Sequence, residues 1–173
     1  LLAVGLLVLA YLWLDPTPPR RVTLATGPAQ SAYDEFGKRY RKALAANGIE
    51  VVLLPSEGSS ANLQLLRDGK ADLGFVQGGS ADIAVDDENA IASLGSLFVE
   101  PVWLFYRESV ARKITASATL TALSQLQGLR LNVGTAGSGV PSLMAKLFDA
   151  NRVDPASIKL SQLAQTPATV AFL

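Results

Sequence analysis

The fold is decided by residues 22–77, which read VTLATGPAQSAYDEFGKRYRKALAANGIEVVLLPSEGSSANLQLLRDGKADLGFVQ. Three short apolar runs alternate in this stretch with two longer segments whose apolar residues have helical spacing. The strands are predicted at 22–26, 49–54 and 72–77, and the helices at 30–46 and from Ser59 or Ser60 to Arg67. Strands that are each separated by one helix are typical of a parallel sheet with crossover helices, so this stretch predicts an α/β fold.

A second βα unit begins near residue 129. We predict a strand at 129–133, a helix at 140–150, a short strand at 158–160 and the start of a helix at 167–173. The apolar segment 94–107 lies between the two units, and its Glu100-Pro101 pair fits either a bend between two strands or a crossing between lobes. The sequence thus predicts two α/β lobes with mostly parallel sheets, at 21–104 and 105–173, the second of them partial.

The composition excludes several classes of function. Hydrophobic residues make up 49% of the 173 residues, which is enough for a packed core, and 15 basic residues balance 15 acidic ones, so nothing predicts nucleic-acid binding. The absence of His and Cys excludes a Ser-His-Asp triad, a thiolate nucleophile and an imidazole or thiolate zinc site within the chain. Glu57, Asp72 and Glu100 are candidate acids, but their spacing suits neither acid–base catalysis nor a metal. We therefore expect no enzyme activity and no cofactor.

Residues 1–14, LLAVGLLVLAYLWL, carry no charge and are followed by a Pro-rich linker at 15–20. As a helix they would span roughly 21 Å, which is less than a hydrocarbon core of about 30 Å. Because the chain starts at Leu1 rather than Met, we expect a fragment that is open at both ends, and we predict a truncated, uncleaved transmembrane anchor. A cleaved signal peptide and a buried soluble helix are the alternatives. Arg20 and Arg21, taken alone, would favour a cytoplasmic domain.

Three turns share one design, in which a strand leads through Gly and Ser residues into the N-terminus of a helix. They are 26–33, 55–62 and 134–139, called here the first, second and third turns. A helix N-terminus presents unpaired backbone N–H groups and a partial positive charge. Open parallel sheets bind ligands beyond the carboxyl ends of their strands, so three such turns predict an anion site. For any one of them, the alternative is an ordinary turn with a Ser cap.

Residues 21–173 resemble the TAXI family of solute-binding receptors, which are associated with TRAP transporters. The resemblance is carried by VTLATG at 22–27, GSSANL at 58–63, LRDGKADL at 66–73, SLFVEP at 96–101 and VGTAGSG at 133–139. It implies a type II periplasmic-binding-protein-like fold, in which two α/β lobes close on a small carboxylate such as an amino acid or an organic acid. The first turn departs from the family pattern, because Gln30 and Ser31 stand where a Gly usually precedes the Thr/Ser-Tyr pair.

By position, the matching motifs place eight residues at or near the ligand cleft: Tyr33, Ser59, Ser60, Asn62, Gln77, Thr135, Ser138 and Gly139. The resemblance also implies a receptor that serves TRAP membrane subunits. Many members of the family are freely exported, whereas residues 1–14 predict that this receptor is anchored in the inner membrane with its binding domain in the periplasm. A membrane-anchored sensing domain of the same fold is the alternative. An enzyme that uses a lysine Schiff base is a third possibility, although no Lys lies in the three turns.

Overall fold

The computed structural model describes residues 2–14, 19–80 and 91–173, and these form a mixed α/β structure with two parallel sheets. The strands are β1 (Arg21–Ala25), β2 (Glu50–Leu54), β3 (Leu73–Gly74), β4 (Arg130–Asn132) and β5 (Lys159–Ser161). The helices are α1 (Leu2–Leu14), α2 (Ala32–Ala45), α3 (Ser59–Arg67), α4 (Glu108–Ala111), α5 (Val140–Ala150) and α6 (Gln165–Phe172). Short 3₁₀ turns lie at Leu123–Leu126 and Pro155–Ser157. The predicted α/β class with parallel sheets is confirmed.

The first sheet has the strand order β2-β1-β3, and both strand pairs are parallel. Leu24, Val51 and Phe75 are buried in its core, which explains why the strands read as near-continuous apolar runs. β1 pairs with β2 over all five of its residues. The third strand is shorter than predicted, because only Leu73 and Gly74 pair with β1.

Both ends of α2 are set by the local sequence. At the N-terminus, the Ser31 side chain accepts a hydrogen bond from the Asp34 backbone N–H at 3.3 Å. At the C-terminus, Gly48 adopts a φ of +74°, a left-handed conformation that glycine takes without a steric penalty. This turns the Ile49 N–H back to the Leu44 carbonyl at 3.1 Å. The end of the helix predicted at 30–46 is thus observed to within one residue, at Ala45.

The second sheet pairs β4 with β5 in parallel, and α5 is the crossover helix between them. Its core is separate from the core of the first sheet and comprises Leu126, Val133, Met144, Phe148, Val153 and Ile158. Met144 and Phe148 are four residues apart, so one face of α5 is directed into this core. The described residues therefore contain two apolar cores, while the lobe boundary between residues 104 and 105 stays a prediction.

The segment 91–107 contains no strand, so of the two alternatives for 94–107 the pair of strands is not observed. An apolar run becomes a strand only where a neighbouring strand accepts and donates its backbone hydrogen bonds, and this segment has no such neighbour among the described residues. Trp103 and Phe105 are 72% and 76% exposed, so they belong to neither apolar core. Phe98 differs from them, because its ring stacks on Phe36 of α2 with the ring centroids 4.3 Å apart.

Helix α1 is 13 residues long and wholly apolar in sequence. Within the described part of the chain, no helix is long and apolar enough to cross a membrane. The membrane anchor at 1–14 stays a prediction. Of the Pro-rich linker predicted at 15–20, residues 15–18 lie outside the described residues.

Gly37 is buried in the middle of α2, where the helix lies close to the sheet. A Cβ at this position would lie 2.7 Å from Thr26 Cγ2 and 3.3 Å from Leu53 Cδ2. We expect Gly37→Ala to destabilise the fold by about 1–3 kcal/mol, because overpacking outweighs the better helix propensity of Ala. Urea unfolding measures the change. Gly78→Ala is the matched control, since nothing lies within 4 Å of its Cβ position. Equal unfolding midpoints for the two variants would contradict the close packing.

Candidate functional site

The second and third turns are in direct contact at the carboxyl ends of their strands. The Ala61 N–H donates to the Gly137 carbonyl at 3.0 Å, and the Ser60 hydroxyl donates to the Ser138 carbonyl at 2.9 Å. In the other direction, the Gly137 N–H donates to the Glu57 carboxylate at 3.0 Å. These bonds join segments that lie about 80 residues apart in sequence, so the ends of the two sheets form one surface, called here the rim.

Glycines allow the two turns to come this close. Gly58 has a φ of +131°, and a Cβ there would lie 3.2 Å from Ser138 Cα. A Cβ on Gly139 would lie 2.6 Å from Gln77 Oε1 and 3.1 Å from Ser59 Oγ. Gly139, Gln77 and Ser59 therefore lie side by side, although the sequence places them in three different segments.

Gly58 is also the N-cap of α3. The predicted cap by Ser59 or Ser60 is therefore wrong, because both residues lie inside α3, at its N-terminal end. Their hydroxyl groups bond to other segments of the rim instead of capping the helix. The backbone N–H groups of Ser59 and Ser60 have no acceptor among the described residues, as is usual for the first residues of a helix. The N-terminus of α3 thus keeps two free donors beside the third turn.

A chain of hydrogen bonds crosses the rim from the third strand to the segment 91–107. The Gln77 N–H donates to Ser59 Oγ at 2.9 Å, and Ser59 Oγ lies 3.2 Å from the Tyr33 hydroxyl. The Tyr33 hydroxyl donates to the Glu100 carboxylate at 3.2 Å. Because the Tyr33 proton goes to Glu100, the Ser59 hydroxyl is the donor to Tyr33. The Ser59 and Tyr33 hydroxyls each both donate and accept, so the hydrogen bonds polarise one another towards Glu100.

The Tyr33 ring also packs against two aromatic rings. Its ring centroid lies 5.5 Å from that of Phe75 and 6.2 Å from that of Phe98. Burial raises the pKa of the Tyr33 phenol, and the negative charge of Glu100 raises it further against the opposing effect of the bond with Ser59. The phenol therefore remains protonated and acts as a donor throughout the ordinary pH range.

Asn62 lies beneath the rim and is fully buried. Its side-chain amide donates to the Thr26 and Phe75 carbonyls, both at 2.7 Å, and its Oδ1 accepts from the Ser56 hydroxyl at 2.6 Å. The amide thus ties the ends of β1 and β3 to the second turn, and both of its N–H donors are used. In the structure, the Asn62 side chain bonds to other parts of the protein, and its predicted contact with a ligand stays a prediction.

The third turn is held by bonds within itself. The Thr135 carbonyl accepts from the Ser138 N–H at 3.1 Å and from the Ser138 hydroxyl at 2.8 Å. Thr135 and Ser138 are both half-buried. All eight sequence-predicted residues therefore lie in the three turns or just after β3. Seven of them belong to the rim, where Ser59 and Gly139 are buried, while Asn62 lies below it. Their role in ligand binding stays a prediction.

The first turn presents a different environment at the N-terminus of α2. Asp34 lies in the N-terminal helical turn of α2, and its carboxylate accepts from the Gln30 N–H at 2.9 Å. The hydrogen bond from Lys38 lowers the pKa of the Asp34 carboxyl group, and the bond from Gln30 adds to this effect. A carboxylate at a helix N-terminus offsets the partial positive charge there. The N-terminus of α2 is thus less suited to bind an anion than that of α3.

Sequence reasoning did not place Ser56, Glu57, Glu100 and Lys146 among the site residues. Lys146 of α5 donates to the Gly79 carbonyl at 2.7 Å and so ties α5 to the loop after β3. Two signals were available for the acids. Glu57 stands within the second turn, and Glu100 is the one acid in the apolar run 94–106. The contacts of all four residues come from segments distant in sequence or from a turn geometry that the sequence alone does not specify.

A cavity of about 360 Å³ lies beside α5, lined by Val133, Pro141, Met144, Ala145, Phe148, Pro155, Leu160, Ser161 and Gln162. None of the eight predicted residues lines it, and its lining carries no charged side chain. Within the described ranges, no group of three or more His, Cys, Asp or Glu residues could hold a metal ion. The rim, with its convergent N–H and O–H donors, is therefore the candidate site.

Comparison with known proteins gives one family match and two structural matches. Residues 24–173 match the sequence model described as the NMT1-like family. The alkanesulfonate-binding protein of Xanthomonas axonopodis pv. citri, bound to MOPS, is 13% identical, with 90% of this chain and 51% of that chain covered and a TM-score of 0.48. The periplasmic aliphatic sulphonate binding protein of Escherichia coli is 11% identical, with 90% and 48% covered and a TM-score of 0.46. The chain thus spans about half the length of both structures. No curated protein matches the sequence.

Proposed function

The chain belongs to the NMT1-like family, and from this premise we propose that it is a solute-binding receptor that holds a small carboxylate at the rim. The observation that carries the proposal is the direct contact of the second turn with the third, beside Tyr33 and Gln77. Solute sites are concave regions in which a few placed polar groups converge from separate elements. The rim brings such groups together from both sheets.

The N-terminus of α3 is the proposed anchor point for the carboxylate. The free N–H groups of Ser59 and Ser60 and the partial positive charge of the helix favour a negative group there. The Ser60 and Ser138 hydroxyls lie beside these donors and add short-range hydrogen bonds. This arrangement holds a carboxylate without a basic side chain in the turns.

Ligand entry requires the two turns to separate. In the described arrangement, the Gly137 and Ser138 carbonyls occupy donors of Ala61 and Ser60 at the start of α3. Each of the three bonds between the turns contributes about 0.5–1.5 kcal/mol net, so separating them costs only a few kcal/mol. A ligand that binds the two conformations with different affinity can offset a cost of that size. We therefore propose that the lobes open and close about the rim.

The same proposal includes the type of receptor, its membrane partner and its location. The motifs at 58–73 and 96–101 support a TAXI-type receptor that delivers its ligand to TRAP membrane subunits. In this proposal, residues 1–14 belong to an inner-membrane anchor and the two lobes lie in the periplasm. The protein acts by binding and release, without catalysis.

Thermal unfolding of the chain with a panel of carboxylates tests the proposal. We expect acetate, succinate or L-glutamate to raise the melting temperature, and succinamide, which lacks the charge, to leave it unchanged. At about 100 times the Kd, the gain in stability is roughly 2.7 kcal/mol, which corresponds to a rise of about 5–10 °C for a chain of this size. If the folded protein responds to no carboxylate, the proposed function is wrong.

Two serine variants locate the response. Ser59→Ala removes the hydroxyl that accepts from Gln77 and donates to Tyr33, so we expect it to weaken binding by roughly fivefold or more. Ser117→Ala changes an exposed serine outside the turns and is the matched control. Equal ligand affinity in the two variants would place the site away from the rim.

A further inference from the structure

Glu100 occupies an unusual position in the segment 91–107. Its neighbours Val99 and Trp103 are largely exposed although they are apolar, whereas the carboxylate of Glu100 is half-buried against Tyr33. An acid turned inward while apolar side chains face the solvent is the reverse of the usual distribution. The inward position of Glu100 therefore has a cause other than hydrophobic packing.

No basic side chain of the described residues pairs with the charge of Glu100. Within the described ranges, no Lys or Arg nitrogen lies within 4 Å of its carboxylate, and the Tyr33 hydroxyl is the one donor to it. Partial burial of a carboxylate is unfavourable unless the charge is paired or fully hydrogen-bonded. Among the described residues, no donor binds the carboxylate oxygen that Tyr33 leaves unbound, so this oxygen can accept from a ligand.

Glu100 and the N-terminus of α3 are linked through a single residue. Ser59 contributes a free backbone N–H to the helix N-terminus, and its hydroxyl bonds to the Tyr33 hydroxyl that donates to Glu100. The Tyr33 hydroxyl lies between them, 3.2 Å from Ser59 Oγ and 3.2 Å from Glu100 Oε2. The rim therefore offers a site for a negative group and a site for a positive group within the reach of one small molecule.

We propose that Glu100 determines ligand specificity at the rim by binding an ammonium group, so that the receptor selects amino acids over organic acids that lack the amine. The inference rests on the proposed solute-binding function and adds the residue that sets the ligand class. A plain carboxylate at α3 would bind more weakly because of the nearby Glu100 charge, whereas the ammonium of an amino acid neutralises that charge. Glu57 has no equivalent role, because its carboxylate is exposed and accepts from the Gly137 N–H.

Isothermal titration with matched ligand pairs tests this inference. The pairs are L-glutamate with glutarate and L-leucine with 4-methylpentanoate, since each pair differs only in the amine. We expect the amino acid of at least one pair to bind about tenfold or more tightly than its partner, because a desolvated charge pair contributes strongly. In Glu100→Gln, which keeps an acceptor for Tyr33 and removes the charge, the ratio between the two should fall to about one.

Two further variants separate recognition from structure. Glu108→Gln is the matched control, because Glu108 is exposed and pairs with Arg112 within α4. Tyr33→Phe removes the bond to Glu100 and keeps its charge, so the preference for amino acids should survive in part. An unchanged ratio in a folded Glu100→Gln would overturn the inference while leaving the proposed function in place. Binding of no ligand from either pair to the wild-type chain would count against both.

Discussion

Replacing Asn62 with Ala is expected to lower the free energy of unfolding by about 2–4 kcal/mol. The Phe75 carbonyl has the Asn62 amide as its one partner among the described residues, and the Ser56 hydroxyl loses an acceptor at 2.6 Å. A buried polar group left without a partner costs about 1–3 kcal/mol, and the lost side-chain volume adds to this. Urea unfolding followed by circular dichroism gives the value, provided that the m-value is unchanged.

Two variants show that hydrogen bonding is the cause. Asn47→Ala removes an exposed amide that bonds to the Ala43 carbonyl, and we expect a loss of less than about 1 kcal/mol. Asn62→Asp keeps the shape of the side chain and removes the donors to the Thr26 and Phe75 carbonyls, so it should destabilise at least as much as Asn62→Ala. If Asn62→Asp were neutral, the amide would not hold the strand ends together.

The second large effect is expected at Phe148, which is 1% exposed in the core of the second lobe. Phe148→Ala should destabilise that lobe by about 3–5 kcal/mol, because the apolar contacts of the ring are lost and a cavity remains. Phe105→Ala is the matched control, since its ring is 76% exposed, and a change within about 0.5 kcal/mol is expected.

The same variant tests whether the two cores unfold together. The cores of the two sheets share no residue, so a weakened second lobe can unfold while the first sheet remains folded. Calorimetry of Phe148→Ala should then show a broadened or split transition. A single sharp transition shifted as a whole would mean that the contacts at the rim, such as those of Gly137, couple the lobes strongly. A variant as stable as the wild type would contradict the burial of Phe148.

Much of the secondary structure follows from the sequence, because helix and strand periods are local. The predicted helix 140–150 is observed with the same bounds, and the βαβ order of the first lobe is observed as predicted. The segment 94–107 shows the limit of such reasoning. Its apolar run is compatible with two strands or with a crossing between lobes. A strand also requires a neighbour at hydrogen-bonding distance, and periodicity carries no information about that neighbour.

The candidate site was predictable in part. The three turns could be found because Gly and Ser between a strand and a helix form a local pattern, and the structure brings the second and third turns together at the ends of two parallel sheets. The individual roles were not predictable. Asn62 and Ser59 lie in one motif, yet one is buried beneath the rim and the other joins its hydrogen-bond chain.

The sequence by itself determined the α/β class, the order of the elements, the absence of His and Cys chemistry and the three turns that begin helices. Only the tertiary structure decided that the third turn lies against α3 and that Glu100 faces Tyr33. The physical reason is separation along the chain. Ser60 and Ser138 are 78 residues apart and Tyr33 and Glu100 are 67 apart, so these bonds depend on how two sheets and a long segment pack together. The pattern of neighbouring residues encodes helices and turns, and packing decides which turns meet.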